Sequence, residues 1–168
     1  MLHLFGYTGA TTLALAGMGY HVTHVDASKP TVQWARENAY RSGLSDKPIR
    51  WLVEDAAKFV AREVRRGNQY EAIILDPPSF GHGTKAERWE IQRDLYPLME
   101  NCWRILSAQR SFVLLCGHSA DIRLRDIQHK LQDEFGKEAT GGLKTHMASL
   151  TSASGRVLDC GYACRFEW

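Results

Sequence analysis

The chain has 168 residues, of which 44% are hydrophobic and 24% charged, and its net charge is +2. A chain of that size can bury a core without staples, and the mixture is that of a soluble globular protein, neither fibrous nor disordered. No apolar run approaches the ~20 residues that span a bilayer, and no basic segment leads into a long apolar stretch at the start, so no membrane or signal segment is expected and a cytoplasmic location follows by default.

The four cysteines, Cys102, Cys116, Cys160 and Cys164, form no C-x-x-C pair. No Cys/His spacing matches a zinc site, so reduced thiols and no metal are expected. A charge of +2 neither demands nor excludes a nucleic-acid partner.

In chain order, short apolar runs alternate with longer amphipathic ones. Leu2–Phe5 reads as a strand and Ala10–Met18 as a helix of small residues. His21–Val25 is a second strand, ended by Asp26. Lys29–Arg41 is a helix with Pro30 in its first turn and Ser28 as its N-cap. Ile49–Val53 is a third strand, and Asp55–Arg66 a helix closed by Gly67. Ala72–Leu75 is a fourth strand, which must stop at Asp76-Pro77-Pro78 because two prolines forbid both helix and central strand. A long helix is predicted from about Ala86 to Leu106, with Pro97 kinking or restarting it. Phe112–Leu115 is a fifth strand and Leu124–Phe135 a helix. Leu143–Leu150 and Val157–Phe166 then alternate around a Ser154-Gly155 turn, the pattern of a hairpin.

Five strand–helix units and an antiparallel pair predict an α/β, doubly wound, Rossmann-like sheet, mostly parallel, with helices on both faces and a C-terminal antiparallel β-hairpin. No linker or repeat interrupts the chain, so a single domain over 1–168 is expected. Right-handed crossovers put the ligand crevice at the carboxyl ends of the strands, where the winding reverses.

Three of those ends carry chemistry. Phe5-Gly6-Tyr7-Thr8-Gly9 leads from a strand directly into a helix, where glycines allow a close ligand approach and the helix N-terminus offers free N–H groups to an anion. Asp26 ends the second strand, placed to accept from two ribose hydroxyls. Glu54-Asp55 ends the third, where an acceptor could take the exocyclic amine of an adenine; Asp55 also stands where it would cap the following helix. A dinucleotide dehydrogenase would share the Asp, but its loop should read G-x-G-x-x-G, and Gly6-Tyr7-Thr8-Gly9-Ala10-Thr11 does not.

Together Leu4–Gly9, Val25-Asp26-Ala27-Ser28, Ala35-Arg36-Glu37-Asn38-Ala39 and Leu75-Asp76-Pro77-Pro78-Ser79-Phe80 resemble the large-subunit rRNA methyltransferases that use S-adenosylmethionine (SAM), among them 5-methylcytidine and 7-methylguanosine enzymes. The resemblance covers nearly the whole chain. It implies the class I methyltransferase fold, SAM as cofactor and RNA, above all rRNA, as substrate. It also implies that Phe5, Gly6, Tyr7, Thr8 and Gly9 wrap the methionine end and that Asp26, with Ala27 and Ser28, holds the ribose. Asp55 and Ala56 would face the adenine, and Asp76 would lie by the methyl group.

Asp76-Pro77-Pro78 forms a rigid turn whose carboxylate and carbonyls can orient a flat base, and Phe80 is a candidate for stacking on it or for packing under the loop. Carbon-5 of cytosine needs a cysteine thiolate to attack the neighbouring carbon first. The resemblance places that cysteine just after the fifth strand, where this chain reads Leu115-Cys116-Gly117-His118-Ser119-Ala120. An ungapped count back from the next helix puts His118 in the nucleophile's place, and only a shifted loop brings Cys116 there. Nitrogen methylation needs no nucleophile, and His118 could orient a base or shuttle a proton.

Lys85, Arg88, Arg93, Arg123 and Arg125 lie near the crevice and fit phosphate contacts, whereas Lys58, Arg62, Arg65 and Arg66 read as a solvated helix face. His3 and His24 are expected to be satisfied residues of the core or its rim. Trp34, Trp51, Trp89 and Trp103 are expected to pack helices on the sheet, and Cys160 and Cys164 to be core. The resembled enzymes carry further chain before the first strand, so an N-terminal truncation with weaker SAM enclosure is expected. A domain that keeps the fold without turnover, and a nicotinamide-dependent oxidoreductase, remain as rival readings.

Overall fold

The computed structural model describes residues 1–82, 88–118, 123–136 and 141–168. Lys85, Ala86, Ser119 and Ala120 lie outside the described residues. The elements are β1 (Leu2–Leu4), α1 (Ala10–Gly17), β2 (Val22–Asp26), α2 (Lys29–Arg41), β3 (Ile49–Val53), α3 (Ala56–Arg66) and β4 (Ala72–Leu75). There follow β5 (Phe80–His82), β6 (Arg88–Glu90), α4 (Ile91–Arg104), β7 (Phe112–Gly117), α5 (Leu124–Phe135), β8 (Gly142–Thr151) and β9 (Val157–Glu167).

Seven strands form one sheet in the order β3-β2-β1-β4-β7-β9-β8. The first five run parallel, and β9 and β8 close the sheet as an antiparallel hairpin. The mostly parallel α/β expectation therefore holds. β1 and β4 lie at the centre with every residue buried, as strands covered on both faces must be. The winding reverses between them, which opens the crevice at their carboxyl ends.

Side chains alternate across the sheet, and the two faces differ in kind. Leu2, Leu4, Val25, Ile73, Leu75, Val113 and Leu115 point to one side, into a core shared with Phe59 and Val60 of α3, Leu95 and Met99 of α4, and Ile127 and Leu131 of α5. His3 and His24 point to the other side, towards α1. Thr12 Oγ1 of that helix lies 2.7 Å from His3 Nδ1 and 2.9 Å from His24 Nδ1. Both rings are buried, as expected, although His24 Nε2 has no partner. One hydroxyl can donate only once, so at least one of the two imidazoles donates to Thr12.

Local signals explain most boundaries. Ser28 caps α2, accepting from the Thr31 N–H at 3.4 Å, and Asp55 caps α3, accepting from the Lys58 N–H at 2.9 Å. Gly67 ends α3 at φ 67°, a left-handed conformation that favours glycine.

Three expectations fail. The long helix predicted from about Ala86 does not include Arg88–Glu90. Arg88–Glu90 instead pairs antiparallel with Phe80–His82, with Gly81 opposite Trp89, and the helix starts at Ile91. Pairing with the proline-stiffened chain overrides helix propensity here, and Asp94 reaches back to the Glu90 N–H at 2.9 Å to fix the new start. α4 then continues through Pro97 without restarting. Trp34 is 58% exposed because it lies on the outer face of α2, whose buried residues are Val32, Ala35 and Ala39. Cys160 is exposed, unlike Cys164, because it lies beyond Tyr162, where the pairing of β9 with β7 ends.

Burial pushes His3 down to about 3, with the neighbouring His24 adding to it; burial also pushes His24 down to about 4, against a pull upward from Asp26. Both rings are neutral in the folded protein, whereas in the unfolded chain they take up a proton below about 6.5. The unfolded state therefore binds more protons below that pH, and stability is lost as pH falls from about 6.5 towards 4, by up to ~1.4 kcal/mol per pH unit for each ring. Urea unfolding midpoints measured from pH 7 to pH 4 should show this slope, and a His3→Gln/His24→Gln variant should flatten it.

Candidate active site

The register explains why distant residues meet. Leu4 pairs with Val25 and with Leu75, and Leu75 pairs with Leu115. The next residues along, Phe5, Asp26, Asp76 and Cys116, therefore come level at the carboxyl edge of the sheet. A cavity of about 320 Å³ opens there, lined by residues from the ends of β1, β2, β3, β4 and β7 and from the β5–β6 ribbon.

Of the residues predicted to hold a cofactor, Phe5, Tyr7, Asp26, Ala27, Ser28, Asp55, Ala56 and Asp76 line this cavity. Gly6, Thr8 and Gly9 do not line it; they shape the loop that does. Phe5 and Tyr7 take positive φ, 56° and 48°, conformations that cost side-chain-bearing residues ~1–3 kcal/mol each and persist only when the surroundings impose them. Four contacts do so. The Gly6 N–H donates to Val25 O at 3.1 Å, and the Tyr7 N–H to Asp26 Oδ2 at 2.9 Å. Asn38 of α2 donates from Nδ2 to Thr8 O at 2.9 Å. The His24 ring lies so close beneath Gly6 that a Cβ there would stand 2.3 Å from its Cε1. Gly9, at φ 88°, caps α1 without a side chain and leaves the first-turn amides open to a ligand.

Asp26 serves two loops. Oδ2 accepts from Tyr7 and Oδ1 from the Ser28 N–H at 2.9 Å. An ionised carboxylate has about four acceptor sites, so lone pairs remain for hydroxyl donors. Glu54 also lines the cavity and is held from behind by a two-pronged contact with Arg62, one prong at 2.6 Å. Asp55 both caps α3 and lines the cavity.

Of the predicted catalytic residues, Asp76, Pro78 and His118 line the cavity, whereas Pro77 and Cys116 do not. The cavity walls desolvate Asp76 and raise its carboxyl above the ordinary range, against an opposing pull from His118. Burial pushes the Cys116 thiol up to about 11, and the Asp76 charge adds to it. Such a thiol is protonated at neutral pH, the reverse of an activated nucleophile. Phe80 is 67% exposed beside the cavity-lining Gly81, so it does not pack under the loop.

The lining carries four carboxylates, Asp26, Glu54, Asp55 and Asp76, and no Lys or Arg among the described residues. The cations lie outside. Lys58, Arg88 and Arg93 line a shallow cleft that shares Asp55 and Trp89 with the cavity, and Arg93 is paired there with Asp94 and Glu90. Arg123 and Arg125 are exposed on the chain entering α5. On α3, Arg62 and Arg66 turn to Glu54 and Glu63, so that group is not simply a solvated face.

Trp89 was missed as a lining residue. It is 7% exposed and donates from Nε1 to Pro78 O at 2.7 Å. Its chain neighbours read as helical, so the sequence carried no signal for the ribbon that places it.

No family model matches the chain. It is 33% identical over 114 residues, 67% of its length, to the ribosomal RNA large subunit methyltransferase K/L of Vibrio cholerae. It is 35% identical over 119 residues, 70% of its length, to the protein of that name in Hahella chejuensis. It spans 16% of the length of each. The solved structure of a SAM-dependent methyltransferase from Agrobacterium tumefaciens superposes with a TM-score of 0.92 at 39% identity, over 99% of this chain and 55% of that one. The chain has the class I SAM-dependent methyltransferase fold. Within that fold the cavity stands at the carboxyl edge where the sheet reverses, as expected for the ligand crevice of an open α/β sheet.

Gly6→Ala should force the loop off His24 and weaken binding of S-adenosylhomocysteine (SAH) about tenfold or more; adding His24→Ala should restore part of that loss, because the two side chains share one space. Isothermal calorimetry of the two variants checks this. A double variant that binds worse than Gly6→Ala alone would contradict the steric account.

Proposed function

We propose that this chain binds SAM in the carboxylate-lined cavity and transfers its methyl group to a base of RNA, with rRNA as the favoured substrate. The single observation that carries the reading is the charge of the lining, four carboxylates with no lysine or arginine among the described residues. Such walls favour a cofactor that bears a sulfonium and an ammonium group, and they repel the pyrophosphate of a nicotinamide dinucleotide. The oxidoreductase reading therefore loses its support. The likeness to proteins named as rRNA methyltransferases supports RNA, as do the basic cleft next to the cavity and the exposed ring of Phe80.

In this reading Phe5, Tyr7 and the open amides after Gly9 receive the methionine end. Asp26 takes the ribose hydroxyls with its remaining lone pairs, with Ala27 and Ser28 alongside, and Asp55 and Ala56 face the adenine. Bound SAM supplies a methyl group already activated by the positive sulfur. Asp76, supported by the Pro77–Pro78 turn, orients an N–H of the target base so that the nitrogen lone pair points at that methyl carbon. As the new N–C bond forms, the C–S electron pair returns to sulfur and leaves SAH neutral. The proton shed by the nitrogen passes to Asp76 or His118, whose positions on the cavity wall suit a relay to solvent. Asp76 is suited to that step because its environment raises its affinity for a proton.

Nitrogen is favoured over carbon-5 of cytosine because Cys116 is both protonated and outside the lining. We expect Asp26→Ala to abolish measurable SAH binding and Asp76→Ala to cut methyl transfer at least about a hundredfold, while Cys116→Ala stays within about threefold of wild type. Tritium transfer from labelled SAM to rRNA, followed by mass-spectrometric analysis of the nucleosides, measures the rates and names the methylated atom. Loss of activity in Cys116→Ala with a trapped covalent RNA adduct in the wild type would overturn the nitrogen assignment. A chain that binds SAH tightly but labels no RNA would overturn the RNA reading.

A further inference from the structure

We propose that Trp89 is a positioning residue that joins the two halves of this site, walling the cofactor cavity with its ring and holding the Asp76-Pro77-Pro78 turn with its indole N–H. The inference rests on the methyl-transfer reading above and adds a residue to it. Three observations place Trp89 there. Its ring centroid lies 4.9 Å from that of Phe5, tilted by 57°, so the two aromatic residues form one wall of the cavity. Its Nε1–H donates to the carbonyl of Pro78 at 2.7 Å. It is 7% exposed, and it borders both the cavity and the basic cleft, so its ring separates the two.

The chemistry of the turn explains why such a tether is needed. Neither Pro77 nor Pro78 has an N–H, so at these two positions the turn has no backbone donor with which to fix itself. It must be held through its carbonyls or through its neighbours. The ribbon and the start of α4 supply both, since Trp89 takes Pro78 O and the Ile91 N–H donates to Ser79 O at 3.0 Å. A carboxylate that must orient an amine depends on the residues directly after it. Release of the Pro78 carbonyl would let Asp76 swing, and small displacements from a reactive geometry cost rate more than affinity. The ring has a separate consequence. It stands against Phe5, whose φ of 56° is held only by its surroundings, so loss of the indole removes a support of the cofactor loop itself.

Two substitutions separate the parts of the residue. Trp89→Phe keeps an aromatic wall and removes the donor; Trp89→Leu removes both. SAH affinity by calorimetry reads the wall, and the kcat and KM of methyl transfer to rRNA read the tether. We expect Trp89→Phe to bind SAH within about threefold of wild type and to lose about tenfold in kcat with KM for SAM unchanged. Trp89→Leu should weaken SAH binding about tenfold as well. A merely structural tryptophan would lower the unfolding midpoint in both variants and leave the kcat of the folded fraction intact. Trp89→Phe with wild-type kcat overturns the tether, and Trp89→Leu with wild-type SAH affinity overturns the wall. If the wild-type chain binds SAH but methylates no RNA, the substrate reading fails while the affinity comparison still decides the wall. The tether is then decided by amide hydrogen exchange over Ser79–His82 in the SAH-bound protein, faster in Trp89→Phe if it is right and unchanged if it is wrong.

Discussion

The carboxylate of Asp26 is the contact on which the site depends. One oxygen holds the Tyr7 amide and the other the Ser28 amide, so a single side chain joins the turn after β1 to the turn after β2. Without it the Tyr7 amide loses its partner, and the φ of 48° rests only on the contacts of Gly6 and Thr8 on either side. The carboxylate can do this because β2 is in register with β1. The pairing of Leu4 with Val25 brings Asp26 level with Phe5. A one-residue slip would turn Asp26 to the opposite face and bury a charge beside Leu2 and Leu4. The hydrophobic alternation of β1 and β2 thus guards the register, and the register builds the site.

The opposite face of the same two strands supplies the support from below. His3, Thr12 and His24 form a short polar stack inside the sheet–helix interface, where apolar residues would also have filled the space. A flat imidazole is thin enough to slide under Gly6, and its Nδ1 reaches Thr12 to fix the ring plane. A leucine of similar volume would have no such fixed plane. The orphaned Nε2 of His24 is the cost, and keeping both rings uncharged limits it. Gly6 and His24 therefore form one structural unit, in which glycine is required because imidazole lies beneath it.

Much of this was legible in the chain because the signals are local. Ser28 with Pro30, Asp55, Gly67 and the double proline after Asp76 each act within a few residues, and the elements they bound fall where predicted. Asp26 and Asp76 could be placed at strand ends for the same reason. What failed depends on partners distant in space. Arg88–Glu90 has a helical composition, and only contact with the chain after Pro78 makes it a strand. Trp34 and Trp89 look alike in the sequence, yet one faces solvent on α2 and the other walls the cavity. Cys160 was expected to share the fate of Cys164, but the hairpin extends beyond its neighbour β7 and leaves that end uncovered. Gly6 could be read as a tight turn, while the ring that demands it could not, because His24 lies 18 positions away in the numbering.

The distribution of charge gives the last constraint. The net charge of +2 says little, since it averages over two neighbouring sites of different lining. Four carboxylates line the cavity, and the cleft next to it carries Lys58, Arg88 and Arg93 together with Asp55 and Asp94, with Trp89 bordering both. Arg93 of the cleft is paired with Asp94 and Glu90, and Glu54 of the cavity with Arg62. Trp89 and Asp55 both border the two spaces, so the boundary sets an aromatic ring beside a carboxylate. On the proposed reading, a cationic cofactor and a polyanionic substrate call for opposite fields on the two sides of that boundary. An indole whose one polar atom is taken by the Pro78 carbonyl suits that boundary.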